Sequence, residues 1–403
     1  MRTRRGLLRA LGAGGVGLAL GGAGCAAPTR ERPTDVVADA MFRQNRERRG
    51  FQSERVPGTV TRQWRIDGLN TGEHTAAKAS PVLAPTGDVV VPGDNGELWA
   101  LTPDGETRWR TTVTDATRGI HGTPAIANGT VYVGAYDGVL YAFDVATGER
   151  VWRTKLGDAI GSSPLYDDGT VYIAVEYVEP SGSVFGVDAL DGEVTWVDDR
   201  PTDHPHSSIA IDRETGTLVV GSNDGFCYAW SFPDLEFAWK FDTDGPIKGP
   251  IATADGAAVF GSWDTRVYRV DLESGTVDWS FAADGKVMSG PGIAANTVYV
   301  GSHDTVLYAL ALDTGEERWR FDTDGWLIGC PAVTPDHVLV GSYDGHLYCV
   351  TRERGSQAGG EEVWRADATG WVTSTPLVHD GAVYYTDRAT DERAGGIYKV
   401  AGV

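Results

Sequence analysis

The side chains best suited to binding chemistry in this sequence lie just upstream of short segments that begin with proline. They are His121, His206, Lys248, Lys286, Trp326 and Trp371. Imidazole, ammonium and indole groups gathered in one funnel could bind a planar or anionic ligand or a peptide, through charge and cation–π contacts. Ordinary loop residues at a channel mouth are the alternative, which the sequence leaves open.

Acidic and histidine clusters suggest metal binding, but their spacing argues against it. The turn aspartates precede glycine in several copies and are first of all hairpin residues. Segments 242–245 and 322–325 begin like a calcium loop, yet no glutamate follows at the required spacing. His204 and His206 are predicted to share one side of a strand, without a third ligand in view. We therefore predict no metal site.

Eight tryptophans recur at intervals of 40 to 45 residues, and this repeat must position the candidate side chains. They are Trp64, Trp109, Trp152, Trp196, Trp239, Trp279, Trp319 and Trp364. In one copy, residues 290–320, alternating apolar segments separated by turns predict four antiparallel strands. Such a unit of about 40 residues has the size of a propeller blade. Each indole is predicted to dock one blade on the next, burying ~150–250 Å².

The two ends of the repeat predict how the ring closes. The last copy, residues 375–400, has three strands and no tryptophan, whereas Trp64 precedes the first copy without a blade of its own. An N-terminal strand around Trp64 would complete the last blade and remove two unpaired sheet edges. The sequence therefore predicts an all-β protein, an eight-bladed β-propeller of four-stranded antiparallel blades over residues 63–403.

The repeats resemble those of the quinoprotein-like (PQQ-type) β-propeller family, whose docking motif is roughly A-x-D-x-x-T-G-x-x-x-W. The motif is matched best at residues 142–152, 187–196 and 270–279. The resemblance implies one of two functions. The first is a non-catalytic, membrane-anchored interaction scaffold, as in the lipoprotein subunit of the outer-membrane protein assembly machinery. The second is a quinone-dependent dehydrogenase.

The dehydrogenases of that family are typically longer, carry two adjacent cysteines over the quinone, and surround a calcium ion with Glu, Asn and Asp. In this chain Cys227, Cys330 and Cys349 are far apart in sequence. We therefore expect a protein-interaction or assembly scaffold with no catalytic residue and no cofactor. A PQQ-dependent, calcium-containing dehydrogenase, or a propeller that binds a small ligand in its funnel, is the alternative.

Residues 1–25 have the pattern of an export signal. The segment 3–8 resembles a twin-arginine motif, and the apolar stretch after it is too short to span a bilayer. Cys25 ends a lipobox-like sequence, although Gly22 stands where leucine is usual. We expect lipidation at Cys25 and attachment to the extracytoplasmic face of the cell membrane. Cleavage that releases a secreted protein is the alternative.

The charge of the chain changes sign after residue 62. Residues 26–62 carry eight arginines and five acids, whereas 23 basic and 51 acidic residues follow. We interpret 26–62 as a spacer and a leader that lies against the ring, since 41–43 and 49–51 resemble the family's leader. The acidic propeller is typical of extracellular proteins from salt-loving archaea, and it would repel nucleic acid. We expect a monomeric propeller with a protein partner at the cell surface.

Overall fold

The computed structural model describes residues 40–70, 79–353, 358–390 and 393–403, and these form 32 β-strands and no helix. The strands are arranged in eight four-stranded antiparallel sheets. Each sheet is built from strands consecutive in sequence, except the last. The predicted eight-bladed β-propeller is confirmed.

Seven blades follow one another along the chain. Blade 1 contains β2 (Val82–Leu83), β3 (Val89–Pro92), β4 (Glu97–Leu101) and β5 (Thr107–Thr112). Blade 2 contains β6 (Ala125–Ala127), β7 (Thr130–Gly134), β8 (Val139–Asp144) and β9 (Arg150–Lys155). Blade 3 contains β10 (Leu165–Asp167), β11 (Thr170–Glu176), β12 (Gly182–Asp188) and β13 (Val194–Asp198). Blade 4 contains β14 (Ala210–Asp212), β15 (Thr217–Gly221), β16 (Phe226–Ser231) and β17 (Phe237–Asp242). Blade 5 contains β18 (Ala252–Ala254), β19 (Ala257–Gly261), β20 (Arg266–Asp271) and β21 (Val277–Ala282). Blade 6 contains β22 (Gly292–Ala294), β23 (Thr297–Gly301), β24 (Val306–Ala311) and β25 (Glu317–Asp322). Blade 7 contains β26 (Ala332–Val333), β27 (His337–Gly341), β28 (His346–Thr351) and β29 (Glu362–Asp367).

Blade 8 joins the two ends of the chain. It contains β30 (Leu377–His379), β31 (Ala382–Thr386), β32 (Gly395–Ala401) and, as its outer strand, β1 (Thr61–Asn70). In the antiparallel pairing of β1 with β32, Trp64 lies opposite Lys399 and Ile66 opposite Ile397. The innermost strands β30 and β2 contact each other. The N-terminal strand therefore closes the ring, as predicted.

The apolar core of the described residues is divided among eight clusters, each shared by two neighbouring blades. Trp109 shows how one docking tryptophan is held between two blades. Its ring is buried, and its Nε1 donates to the carbonyl of Val145 in the next blade, 2.9 Å away. A methyl group on Gly148 would come within 2.6 Å of the indole, and this glycine has a φ of +71°. The close approach of ring and backbone explains why the docking motif carries glycine.

Six more of the predicted tryptophans dock in related ways. Trp64, Trp152, Trp239, Trp279, Trp319 and Trp364 each donate Nε1 to an acceptor outside their own strand. Trp196 is different, because Leu235 occupies the place of the docking glycine in blade 4. Its ring packs edge-on against Trp230 at 5.9 Å instead.

Small residues before the innermost strands connect the blades around the axis. Thr123 N donates to Ser163 Oγ at 2.9 Å, and Ser163 N donates to Ser208 Oγ at 3.0 Å. At the closure, Thr375 N donates to Ser80 Oγ at 2.8 Å. These residues satisfy backbone groups that the sheet ladders leave unpaired where the inner strands converge.

Candidate functional site

The funnel mouth is built from two kinds of segment: the connection that enters each blade, and the turn between that blade's second and third strands. In blades 4 to 8, a backbone hydrogen bond holds the turn against the connection of the same blade. His303 N donates to Lys286 O at 2.9 Å, and Tyr343 N donates to Trp326 O at 3.0 Å. Side chains from connections and turns therefore alternate around the mouth.

The turn aspartates stabilise this arrangement. In blade 6, Asp304 accepts hydrogen bonds from Val306 N at 3.1 Å, Asp284 N at 2.9 Å and the Tyr308 hydroxyl at 2.8 Å. The same tyrosine-to-aspartate bond occurs in blades 2, 4, 5 and 7. These carboxylates are therefore occupied in joining turn, connection and third strand.

A row of aromatic rings crosses the mouth from blade 6 to blade 8. His303 stacks on Trp326 with a centroid separation of 4.8 Å and an interplanar angle of 5°. Trp326 contacts Tyr343 at 5.8 Å, and Tyr343 stacks on Trp371 at 4.6 Å and 7°. The Arg388 guanidinium lies 5.2 Å from the centroid of Trp371. Trp326 and Trp371 remain 50% and 37% exposed. We call these four rings the aromatic row.

Two lysines lie beside the aromatic row, on one indole of blade 5. The Nζ atoms of Lys248 and Lys286 are 3.9 and 4.1 Å from the centroid of Trp263. Burial lowers the pKa of Lys248, and the positive charge of Lys286 lowers it further, while Asp203 and Glu176 act in the opposite direction. These two carboxylates therefore offset the repulsion that Lys286 exerts on Lys248.

The aromatic row and Trp263 enclose a pocket of about 670 Å³, which falls in the range of small-ligand sites. Its lining comprises Lys248, Trp263, Met288, His303, Thr305, Asp324, Gly325, Trp326, Ile328, Tyr343 and Trp371. Asp324 is the one carboxylate in that lining. We call this cavity the aromatic pocket.

A second, smaller cavity of about 310 Å³ lies on blades 2 to 4. There His206 Nδ1 is 2.8 Å from Glu176 Oε1, and His204 Nε2 is 2.8 Å from Tyr177 O. Burial opposes ionisation of Glu176, but the charge and hydrogen bond of His206 outweigh it, so the pKa of Glu176 is lowered. His121 packs on Tyr136 at 4.3 Å. The connection that carries His204 and His206 is not a strand, so that prediction was wrong.

The leader runs along the inner strands that surround the channel. Residues 40–57 cross the ends of the inner strands, where Arg48 Nε donates to Ile209 O at 2.9 Å and Arg43 Nη1 donates to Gly290 O at 2.9 Å. Gln52 exchanges hydrogen bonds with Pro376 O and Val378 N. Both arginines are buried, and burial with the neighbouring charge of Arg43 lowers the pKa of Arg48 to about 9.

The structure thus divides the predicted funnel residues into two groups. Lys248, Trp326 and Trp371 line the aromatic pocket, and Lys286 reaches its Trp263. His121 and His206 belong to the side of blades 2 to 4. Cys25 lies outside the described residues.

Sequence reasoning missed Trp263, His303 and Tyr343. Their signal was available, because each stands between the serine and the aspartate of the repeated Gly-Ser-x-Asp turn. Within the described residues, no three His, Cys, Asp or Glu side chains converge to hold a metal ion. In the same residues, no helix is long and apolar enough to cross a membrane.

Comparison with known proteins adds a family to this geometry. The profile of the family described as outer membrane protein assembly factor BamB matches residues 57–235, 205–289 and 264–358, which together exceed half of the chain. The chain belongs to this family. BamB of Escherichia coli (strain K12) is 30% identical over 202 residues, which are 46% of this chain and 49% of that protein. The match therefore spans about half the length of this relative.

Solved structures share the fold at low sequence identity. BamB from Moraxella catarrhalis has a TM-score of 0.65 at 17% identity, covering 85% of this chain and 100% of that one. A europium-containing methanol dehydrogenase has a TM-score of 0.75 at 12% identity, covering 90% and 97%. At such identities the likeness concerns the fold alone, because the propeller hosts both assembly factors and enzymes.

Proposed function

We propose that this protein is a non-catalytic scaffold of the BamB family, which binds a protein partner at the extracytoplasmic face of the cell membrane. The observation that carries the proposal is the family match over residues 57–358. The sequence pattern at Cys25 supports a lipid anchor, and the acidic propeller supports an environment of high salt, where a Debye length of ~3 Å screens charge repulsion.

The funnel mouth is where we propose that the partner binds. Exposed indoles are rare on monomer surfaces and are enriched where proteins bind one another. Trp326 and Trp371 combine such exposure with a rigid stack, so little side-chain entropy is lost on binding. Lys248 and Lys286 add a local positive charge to an acidic surface, which favours one orientation of the partner.

Photo-cross-linking on intact cells tests this proposal. A photoreactive phenylalanine analogue replaces Trp326 in one strain and Val277 in a control strain. Val277 is 47% exposed but lies on the outer strand β21 of blade 5. We expect a discrete protein adduct from position 326 and none from position 277. Absence of an adduct at 326, or equal adducts at both positions, would contradict binding at the mouth.

A quinone dehydrogenase is the alternative function, since a methanol dehydrogenase shares the fold. The described residues of the funnel do not fit a calcium-bound quinone. Asp324 and Glu176 line different cavities, and Glu176 is paired with His206. Calcium prefers six to eight oxygen ligands. The absence of catalysis stays a prediction, and incubation with PQQ and calcium tests it: stoichiometric uptake with dye reduction would show an enzyme.

A further inference from the structure

The positive charge of the aromatic pocket is unusual for this chain. The described residues include five lysines, and two of them, Lys248 and Lys286, share the ring of Trp263. Two ammonium groups on one indole repel each other, and burial strengthens that repulsion. Asp203 and Glu176 offset part of it at Lys248, and Asp324 is the one carboxylate in the lining. An anionic group placed between them would relieve the repulsion. The part of the pocket beside Lys248 and Lys286 is thus complementary to a carboxylate, in a protein whose surface is otherwise acidic.

The aromatic row gives the site a direction. Its successive ring centroids are 4.8, 5.8 and 4.6 Å apart, from His303 in blade 6 to Trp371 at the entrance to blade 8. This contour of about 15 Å corresponds to roughly four to five residues of extended chain. A single small ring would cover only part of it. An extended polypeptide segment could contact the whole row and still reach the lysines.

We propose that the aromatic pocket docks a segment of the partner protein in which an aromatic residue is flanked by acidic residues. The aromatic side chain packs against Trp326 and Trp371, and a neighbouring carboxylate binds Lys248 and Lys286. This inference rests on the proposed scaffold function and adds the chemistry of the partner. Charge complementarity at the two lysines selects this occupant, because a basic segment would be attracted to most of the acidic surface and repelled by Lys248 and Lys286.

Peptide binding to the purified propeller tests the inference. The probe is a fluorescein-labelled peptide Gly-Ser-Glu-Phe-Glu-Ser-Gly, followed by anisotropy in 1 M NaCl, where a Debye length of ~3 Å leaves only contacting charges effective. One control peptide carries lysine in place of both glutamates, and another carries serine in place of phenylalanine. We expect the first peptide to bind at least tenfold more tightly than either control.

Protein variants locate the binding. Lys248→Gln combined with Lys286→Gln should weaken binding of the acidic peptide about tenfold or more, because its charge-assisted hydrogen bonds are lost; tenfold corresponds to about 1.4 kcal/mol. Lys240→Gln is the matched control, because its Nζ lies 3.7 Å over Phe226 in blade 4, away from the pocket. Trp326→Ser is a second test on a half-exposed side chain, and unchanged thermal unfolding verifies each fold.

Several results would overturn the inference. Equal affinity for the lysine-containing peptide, or acidic-peptide binding unaffected by the double lysine change, would exclude the charge contact. Binding of free 2-naphthoate as tight as that of the peptide would show a small-molecule site instead. A partner cross-linked from position 326 alongside a peptide that fails to bind would leave the scaffold function intact and reject only this chemistry.

Discussion

Substitution of one docking tryptophan tests directly whether the buried indoles hold neighbouring blades together, and Trp109→Ala is the best-defined case. The ring is 8% exposed and belongs to the core cluster shared by blades 1 and 2. Truncation of a buried tryptophan to alanine costs about 3–5 kcal/mol. The carbonyl of Val145 also loses its donor, which adds about 1 kcal/mol. We therefore expect the free energy of unfolding to fall by roughly 4–6 kcal/mol.

Urea unfolding measures this change, with intrinsic fluorescence and far-UV circular dichroism recorded on the same samples. Coincident transitions and an unchanged slope would show that the two-state treatment applies. Trp326→Ala is the matched control, because that ring is half exposed and docks no blade. Its cost should stay below about 1 kcal/mol. Similar midpoints for the two variants would refute the idea that the buried indoles hold the blades together.

Three further outcomes follow from other contacts. Raising the pH from 10 toward 12 should destabilise the fold. Burial and the hydrogen bond to Asp137 raise the pKa of Tyr141 to about 12 in the folded protein, so the tyrosine ionises first in the unfolded chain. Melting curves of Tyr141→Phe should show a smaller decrease in melting temperature over this pH range. Deletion of residues 1–65 should lower the melting temperature, since β1 loses Trp64 and part of its pairing with β32. A parent-like melting temperature would argue against closure of the last blade by β1. Cys25→Ser should move the protein from the membrane fraction to the medium, and unchanged partitioning would reject the lipid anchor.

The architecture was predictable because its determinants repeat. An indole every 40 to 45 residues and period-two strands specify a blade locally, and an incomplete last copy shows where the chain ends must meet. Blade 4 is an exception, because Leu235 replaces the docking glycine there. There Trp196 packs on Trp230, a contact that the repeat pattern does not predict.

The site was only partly predictable, because its contacts join segments that lie apart in sequence. The funnel residues of the connections could be found from their place before the inner strands. Trp263 and Tyr343 belong to turns, and their role appears only when the next connection folds over them. The leader arginines could not be assigned either, since Arg48 bonds to carbonyl groups of Ile209 and Pro164, more than a hundred residues away.

Repetition and variation therefore serve different ends in this ring. Residues that dock blades must repeat, because every blade faces the same packing problem. The residue between serine and aspartate in the Gly-Ser-x-Asp turn docks no blade. It changes from Asn223 in blade 4 to Trp263, His303 and Tyr343 in blades 5 to 7. Variation in binding chemistry is therefore concentrated in the turns of blades 5 to 7 at the mouth. Recognition by relatives with the same fold should accordingly vary with this turn position, while the docking tryptophans determine only that the ring forms.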